Sequence, residues 1–209
     1  MALANLMSSS ILDEFQRDLV CSSAADVYDK YIASERCFGL DAVDQQVLRE
    51  RIADHFKVHS SSVVIVGSAK LGFTLKQSKP ESARPRFSPF AIDSDVDVAI
   101  VSDVVFDGIW KDCLDFWHHS GYEKGGGLWR SGGRFRNYFF RGWMRPDLLP
   151  SEGNYTYRNS WFDFFQELTS DRAAGDFKIT AGLYRETHFL RTYQTILIEE
   201  CTQELRTKA

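Results

Sequence analysis

The sequence predicts an α+β protein: a small mixed sheet flanked by helices, with helices at its N-terminal end and one long helix at its C-terminal end. Three observations carry this. Residues 63–66, Val-Val-Ile-Val, and residues 96–101 are short apolar runs rich in β-branched side chains, as buried strands are. Residues 41–57 repeat Val43, Val47, Leu48, Ile52 and Phe56 at helical spacing. Near the end, Leu183, Leu190, Tyr193, Leu197, Cys201 and Leu205 recur at that spacing too.

In chain order, residues 10–20 and 23–34 are predicted as helices ahead of the one over 41–57, for which Asp41 after Gly39 is the N-cap. His59 and the serines at 60–62 end that helix before the first strand. A polar, proline-containing loop over 76–89 leads to the second strand, and 106–119 reads as helix. Glycine clusters at 125–127 and 132–133 read as turns, 134–143 as a third strand that Leu148 and Leu149 continue or follow, and 176–206 as the last helix. No repeat and no composition shift marks a linker, so one domain with one main core is expected over 1–209. Its parts are an N-terminal helical region (1–58), a core (63–150) and a C-terminal helical region (160–206).

Composition narrows the class. The 209 residues are 44% hydrophobic and 14% aromatic, which excludes a disordered chain except at its ends. No stretch approaches the ~20 apolar residues of a membrane span and no leader is evident, so a soluble, cytoplasmic protein without a membrane partner is expected. Cys21, Cys37, Cys113 and Cys201 form no close pair and read as reduced core residues. Cys113, His118 and His119 lack a second pair at ligand spacing, so no zinc is predicted. The net charge of −4 argues against a general nucleic-acid coat. Yet residues 68–86 carry five bases against one acid, and residues 123–145 six against one. Such a run is either a solvated face or a groove for a polyanion such as a nucleoside triphosphate or RNA.

The residues that carry chemistry are Gly67-Ser68 after the first strand, Asp93-Ser94-Asp95-Val96-Asp97-Val98 opening the second, and Arg145-Pro146-Asp147-Leu148-Leu149-Pro150 further on. Alternate side chains of a strand share a face, so Asp95 and Asp97 project together while Val96 and Val98 enter the core. Two converging carboxylates repel unless a cation lies between them, and hard oxygen donors suit Mg²⁺ held jointly with substrate phosphates. Gly67 permits close backbone approach, and the Ser68 hydroxyl with nearby amides can bond phosphate oxygens.

With these residues the chain resembles the polymerase-beta-like nucleotidyltransferase superfamily, whose signature is a strand ending in Gly-Ser, an Asp-x-Asp on the next strand and a third acid later. The acid-apolar-apolar-proline run at Asp147 is similar to that of cyclic-nucleotide synthases of bacterial defence. The resemblance implies a nucleotidyltransferase palm in which Asp95, Asp97 and Asp147 are catalytic and hold Mg²⁺ (or Mn²⁺), and Gly67 and Ser68 bind the triphosphate. It also implies a lysine and an aromatic on the final helix toward the nucleotide, here Lys178 and Tyr193. The implied reaction moves a nucleoside monophosphate from an NTP, ATP first among them, to a hydroxyl on a nucleotide, an RNA end or a protein. This chain departs from the pattern in Lys70-Leu71-Gly72, where Arg-Gly is common, and in the long 76–89 interval. On this frame Lys124, Arg130, Arg134, Arg136 and Arg141 are placed to face the cleft, and the interleaved aromatics Trp129, Phe135, Tyr138, Phe139 and Phe140 to pack in the core. Asp93 reads as a strand-entry cap, and Arg49 and His55 as parts of an amphipathic helix with no catalytic role. The alternative function is a catalytically silent nucleotide- or RNA-binding module of the same fold.

Overall fold

The computed structural model describes residues 2–77, 84–119, 134–149, 155 and 157–208. The glycine clusters, Lys124, Trp129, Arg130 and part of the 76–89 loop lie outside the described residues.

Three helices come first. Helix α1 spans Ala2–Cys21 and α2 spans Ala24–Tyr31, opened by Ser23, whose hydroxyl accepts the Asp26 N–H at 3.2 Å. Helix α3 spans Ala42–Phe56, and the Asp41 carboxylate accepts the Val43 and Asp44 N–H groups, each at 2.9 Å, as the sequence predicts. Its buried face is narrower than the periodicity suggested: Leu48, Ile52 and Phe56 are inside, but Val43 and Val47 stand in solvent.

Strand β1 (Val63–Val66) runs into the short helix α4 (Gly67–Leu71), and β2 spans Val96–Val101. Then come α5 (Asp103–His119), α6 (Arg134–Phe140) and β3 (Trp143–Met144), followed by a 3₁₀ turn over Pro146–Leu148. Helix α7 (Arg158–Ser170), β4 (Ala173–Asp176), β5 (Ile179–Tyr184) and α8 (Thr187–Lys208) complete the chain. The four-stranded sheet has the order β1-β2-β5-β3, with β2 and β5 parallel at its centre and the two outer pairs antiparallel.

Two predicted elements are corrected. Residues 134–140 are helix, not strand, because Phe135 and Phe139, four apart, stack together on one side, and Phe139 meets Phe106 at 5.5 Å and Trp110 at 5.0 Å. The predicted last helix from 176 begins on the final residue of β4 and passes through β5 before it is a helix. Ile179 and Thr180, both β-branched, begin a strand that fills the slot beside β2, and the helical repeat is real only from Thr187 onward.

Strand alternation gives two apolar layers instead of one. Val63 and Ile65 of β1, Val96, Val98 and Ile100 of β2 and Ile179 and Leu183 of β5 face α3, α5 and α7. Val64, Val66, Ala99, Val101 and Tyr184 face α1, α2 and α8. Covering both faces of a four-stranded sheet leaves its strand ends as the place for polar groups. Cys113 and Cys201 are buried in these layers and Cys37 is half-buried, whereas Cys21, at the end of α1, is exposed; all four are free thiols. Among the described residues no helix is long and apolar enough to cross a membrane.

Candidate functional site

The site forms where β1 turns into α4, because the chain there must reverse against a carboxylate. Gly67 has φ +69°, a conformation that costs a side chain about 1–2 kcal/mol. A Cβ on it would meet Asp97 Oδ2 at 2.6 Å, so glycine is required by conformation and by space together. The register explains the contact: Asp97 lies opposite Val66 on one side and Thr180 on the other. The Thr180 hydroxyl donates to Asp97 Oδ1 at 2.6 Å, a short bond to a charged acceptor.

Asp97 shares its sheet face with Thr180 and, two residues back, Asp95, while Val96 and Val98 are buried on the other face. Asp97 keeps part of its surface open, yet it is packed round closely enough that burial raises its carboxyl above the ordinary range. Asp95 adds to the rise, and the Thr180 hydroxyl with the Lys76 and Arg145 cations works against it.

Above this floor α8 crosses the sheet face and leaves a cleft of about 190 Å³. Gly67, Ser68, Lys76, Arg145 and Tyr193 line it with Asp97. The Lys76 Nζ lies 5.3 Å from the centre of the Tyr193 ring. Burial opposes the charge of Lys76, but the Tyr193 hydroxyl and the Asp97 carboxylate outweigh it and hold its pKa above the ordinary lysine value. The wall behind is aromatic: Tyr138 stacks on Trp143 at 4.0 Å, Trp143 on Tyr184 at 5.7 Å, and Tyr193 tilts against Trp143 at 5.2 Å.

Asp147 does not join the pair. Arg145 holds it with Nε on Oδ1 at 3.0 Å and Nη2 on Oδ2 at 2.5 Å, and this bond raises the arginine pKa. Asp147 lines a second cavity of about 320 Å³, shared with the cleft through Arg145, Thr180 and Ala181, and walled by Trp161, Phe162 and Phe165. Among the described residues no group of three His, Cys, Asp or Glu could hold a metal ion. Lys178 also lines this second cavity; it sits in the turn between β4 and β5 and not on the final helix, with its carbonyl accepting the Val96 N–H at 2.8 Å. Tyr193 does lie on the final helix and in the cleft.

The basic runs divide. Lys70 is buried, donates to the Ser34 carbonyl and loses basicity through burial. Arg86 pairs with Glu204 at 2.7 Å, and Arg84 bonds Ser94 Oγ at 2.8 Å and lies 3.9 Å from Asp93. Lys76 alone of these enters the cleft. Of the later run, Arg136 lines an apolar groove beside Trp110 and Phe139, Arg141 is exposed outside the cleft, and Arg145 faces the cleft instead. Phe135 is buried, but Phe140 is exposed, and Tyr138 packs half-buried against the second apolar layer while lining the cleft. His55 stacks on Phe164 at 3.8 Å and Arg49 pairs with Glu35 at 3.1 Å, so both serve α3.

Thr180 and Gln194 line the cleft and are not among the sequence candidates, whereas Lys76 belongs to the basic run over 68–86 and Arg145 to the motif that holds Asp147. Thr180 had a local signal, the β-branched pair Ile179-Thr180, hidden by the helical repeat that follows it. Compared with family models, with curated proteins and with solved structures, the chain finds no match.

Proposed function

We propose that this chain is a magnesium-dependent nucleotidyltransferase, transferring a nucleoside monophosphate from an NTP to a hydroxyl and releasing pyrophosphate. The observation that carries the proposal is the fit of Gly67 to Asp97: a left-handed glycine whose missing side chain leaves room for a carboxylate at the floor of a cleft with a cation on its rim. Buried carboxylates are costly unless something positive meets them, and no side chain bonds the Oδ2 oxygen of Asp97 among the described residues.

The donor set fits magnesium. Two carboxylates, Asp95 and Asp97, with substrate phosphates and water completing the shell, match how that ion is usually held, and a third carboxylate is not required for the first ion. Bound there, it would lower the pKa of the attacking hydroxyl and neutralise charge on the triphosphate. Thr180 fixes the rotamer of Asp97 by donating to Oδ1, which leaves Oδ2 for the cation. Lys76 supplies a positive charge to the β and γ phosphates, and Ser68 with the Gly67 turn approaches them closely. Tyr193 offers its ring to the base, with Trp143 behind it. Holding donor and acceptor in line supplies much of the remaining acceleration.

A second reading, a catalytically silent nucleotide-binding module, is favoured by one observation: Arg145 neutralises Asp147, the candidate third ligand. One experiment separates the two. Purified protein is incubated with each α-labelled NTP and Mg²⁺ or Mn²⁺, with and without tRNA, beside the Asp95→Asn/Asp97→Asn double variant. Label that enters small products, tRNA or the protein band and is lost in the variant supports the transferase and identifies its acceptor. NTP binding without variant-sensitive label rejects it in favour of the silent module.

A further inference from the structure

Five polar or charged residues among those described are buried to more than nine-tenths: Gln45, Lys70, Ser94, Ser102 and Gln194. The polar atoms of such residues turn either to a partner inside the fold or to a cavity. Four of the five are met inside the fold. Gln45 donates to the Leu40 carbonyl at 3.1 Å and Lys70 to the Ser34 carbonyl. Ser94 accepts from the Ala91 N–H at 2.9 Å and from Arg84 at 2.8 Å, and Ser102 accepts from the Val105 N–H at 3.2 Å. Gln194, 5% exposed, has no side-chain hydrogen bond among the described residues, and what it lines is the cleft, next to Tyr193.

We infer that Gln194 reads the base of the bound nucleotide and that this base is adenine. The inference rests on the nucleotide-binding reading of the cleft. A carboxamide carries one acceptor oxygen and two N–H donors on one planar group. Adenine presents its N6 amino donor beside a ring-nitrogen acceptor, N1 on one edge and N7 on the other, so a single amide meets both in a bidentate pair. Guanine on its Watson–Crick edge also carries the N2 amino group, which needs a second acceptor. Among the described residues the one acid lining the cleft is Asp97, which the proposed function gives to the metal. On its other edge guanine offers two acceptors and leaves the amide oxygen unmatched. Pyrimidines lay one ring, not two, against Tyr193 and gain less from stacking.

The test is calorimetric titration of the full chain with ATP, GTP, CTP, UTP and purine riboside triphosphate, which lacks only the N6 amino group. Ca²⁺ replaces Mg²⁺ so that binding is read without turnover. The wild-type protein is expected to bind ATP most tightly and the purine riboside analogue about 5- to 100-fold more weakly, the range for one bidentate base contact. In Gln194→Leu the two should bind within about twofold of each other, since the partner of the amino group is gone, while the thermal transition stays cooperative. Equal wild-type affinity for ATP and the analogue, or a preference for GTP, overturns the inference and leaves nucleotide binding standing. Failure to bind any of the five overturns the nucleotide-binding reading as well. The wild-type comparison needs no variant, so a misfolded Gln194→Leu does not blunt the test.

Discussion

Two carboxylates flank Arg145, and the molecule treats them oppositely. Asp147 has a guanidinium bonded to both its oxygens on a partly open surface, so its charge is already answered. Asp97 has a neutral hydroxyl on one oxygen, a glycine turn against the other, and a raised pKa from burial. The charges of Lys76 and Arg145 act on Asp97 without a hydrogen bond, and burial outweighs them, so its ionised form is held at a cost. The same residue type is therefore satisfied by its partner in one cavity and held at a cost in the other, and a carboxylate of the second kind is the better candidate for a site.

The strongest break in this comparison is Asp97→Asn. Label transfer should fall by more than about 10²-fold, the scale at which loss of one electrostatic partner of a transition state is felt. The apo protein should become more stable at neutral pH, because an acid whose folded pKa is raised loses stability as pH rises from its unfolded value, near 3.8, through its folded one. Melting temperatures of the two proteins should converge toward pH 4 and separate toward pH 7. A wild type more stable than the variant at pH 7 without metal would show that the charge is not held at a cost.

Gly67→Ala tests the contact from the other side. The positive φ costs about 1–2 kcal/mol, and at about 2–4 °C per kcal/mol for a chain of this size the melting temperature should drop by several degrees. The added Cβ would displace the Asp97 carboxylate, so transfer should fall even at temperatures where the variant is folded. Unchanged transfer in a folded variant would remove Gly67 from the site.

Thr180→Val sharpens the comparison by taking away the one side-chain hydrogen bond that Asp97 makes among the described residues. Without that donor the carboxyl pKa should rise further, and the acid limb of the transfer rate should move to higher pH with little change on the plateau. A pH profile identical to the wild type would mean that Thr180 holds the rotamer only.

Asp147→Asn should have the smallest effect. Exposed ion pairs contribute about 0–1 kcal/mol, so the melting temperature should shift by no more than a few degrees. Transfer should fall less than in Asp97→Asn. A loss as large would mean that Arg145 surrenders Asp147 when metal and triphosphate enter, completing the three-carboxylate set the sequence suggests.

What could be foreseen, and what could not, follows the range of the interactions. Asp41 announces its helix because a cap is a contact between neighbours in sequence. That Asp95 and Asp97 project to one side is legible because strand alternation is a rule of period two that needs no partner strand. Over residues 134–140 arginines alternating with aromatics satisfy a strand pattern, and only packing of Phe139 on Phe106 and Trp110 selects the helix. Lys178 was misplaced for a related reason: the helical repeat of α8 was carried back across β5, whose place beside β2 is a tertiary fact.

The sequence by itself determined the α+β class, the first two strands, the glycine that must precede the site and the pair of acids that share one face. These depend on backbone preference and on periodicities within a few residues. Tertiary structure alone decided that α8 crosses the face bearing Asp97, bringing Tyr193 and Gln194 over it, and that Lys76 enters the cleft while Lys70 is buried. The physical reason is that each of these is a contact across tens of residues, settled by competition for buried surface and for charge, and no local pattern records who wins such a competition.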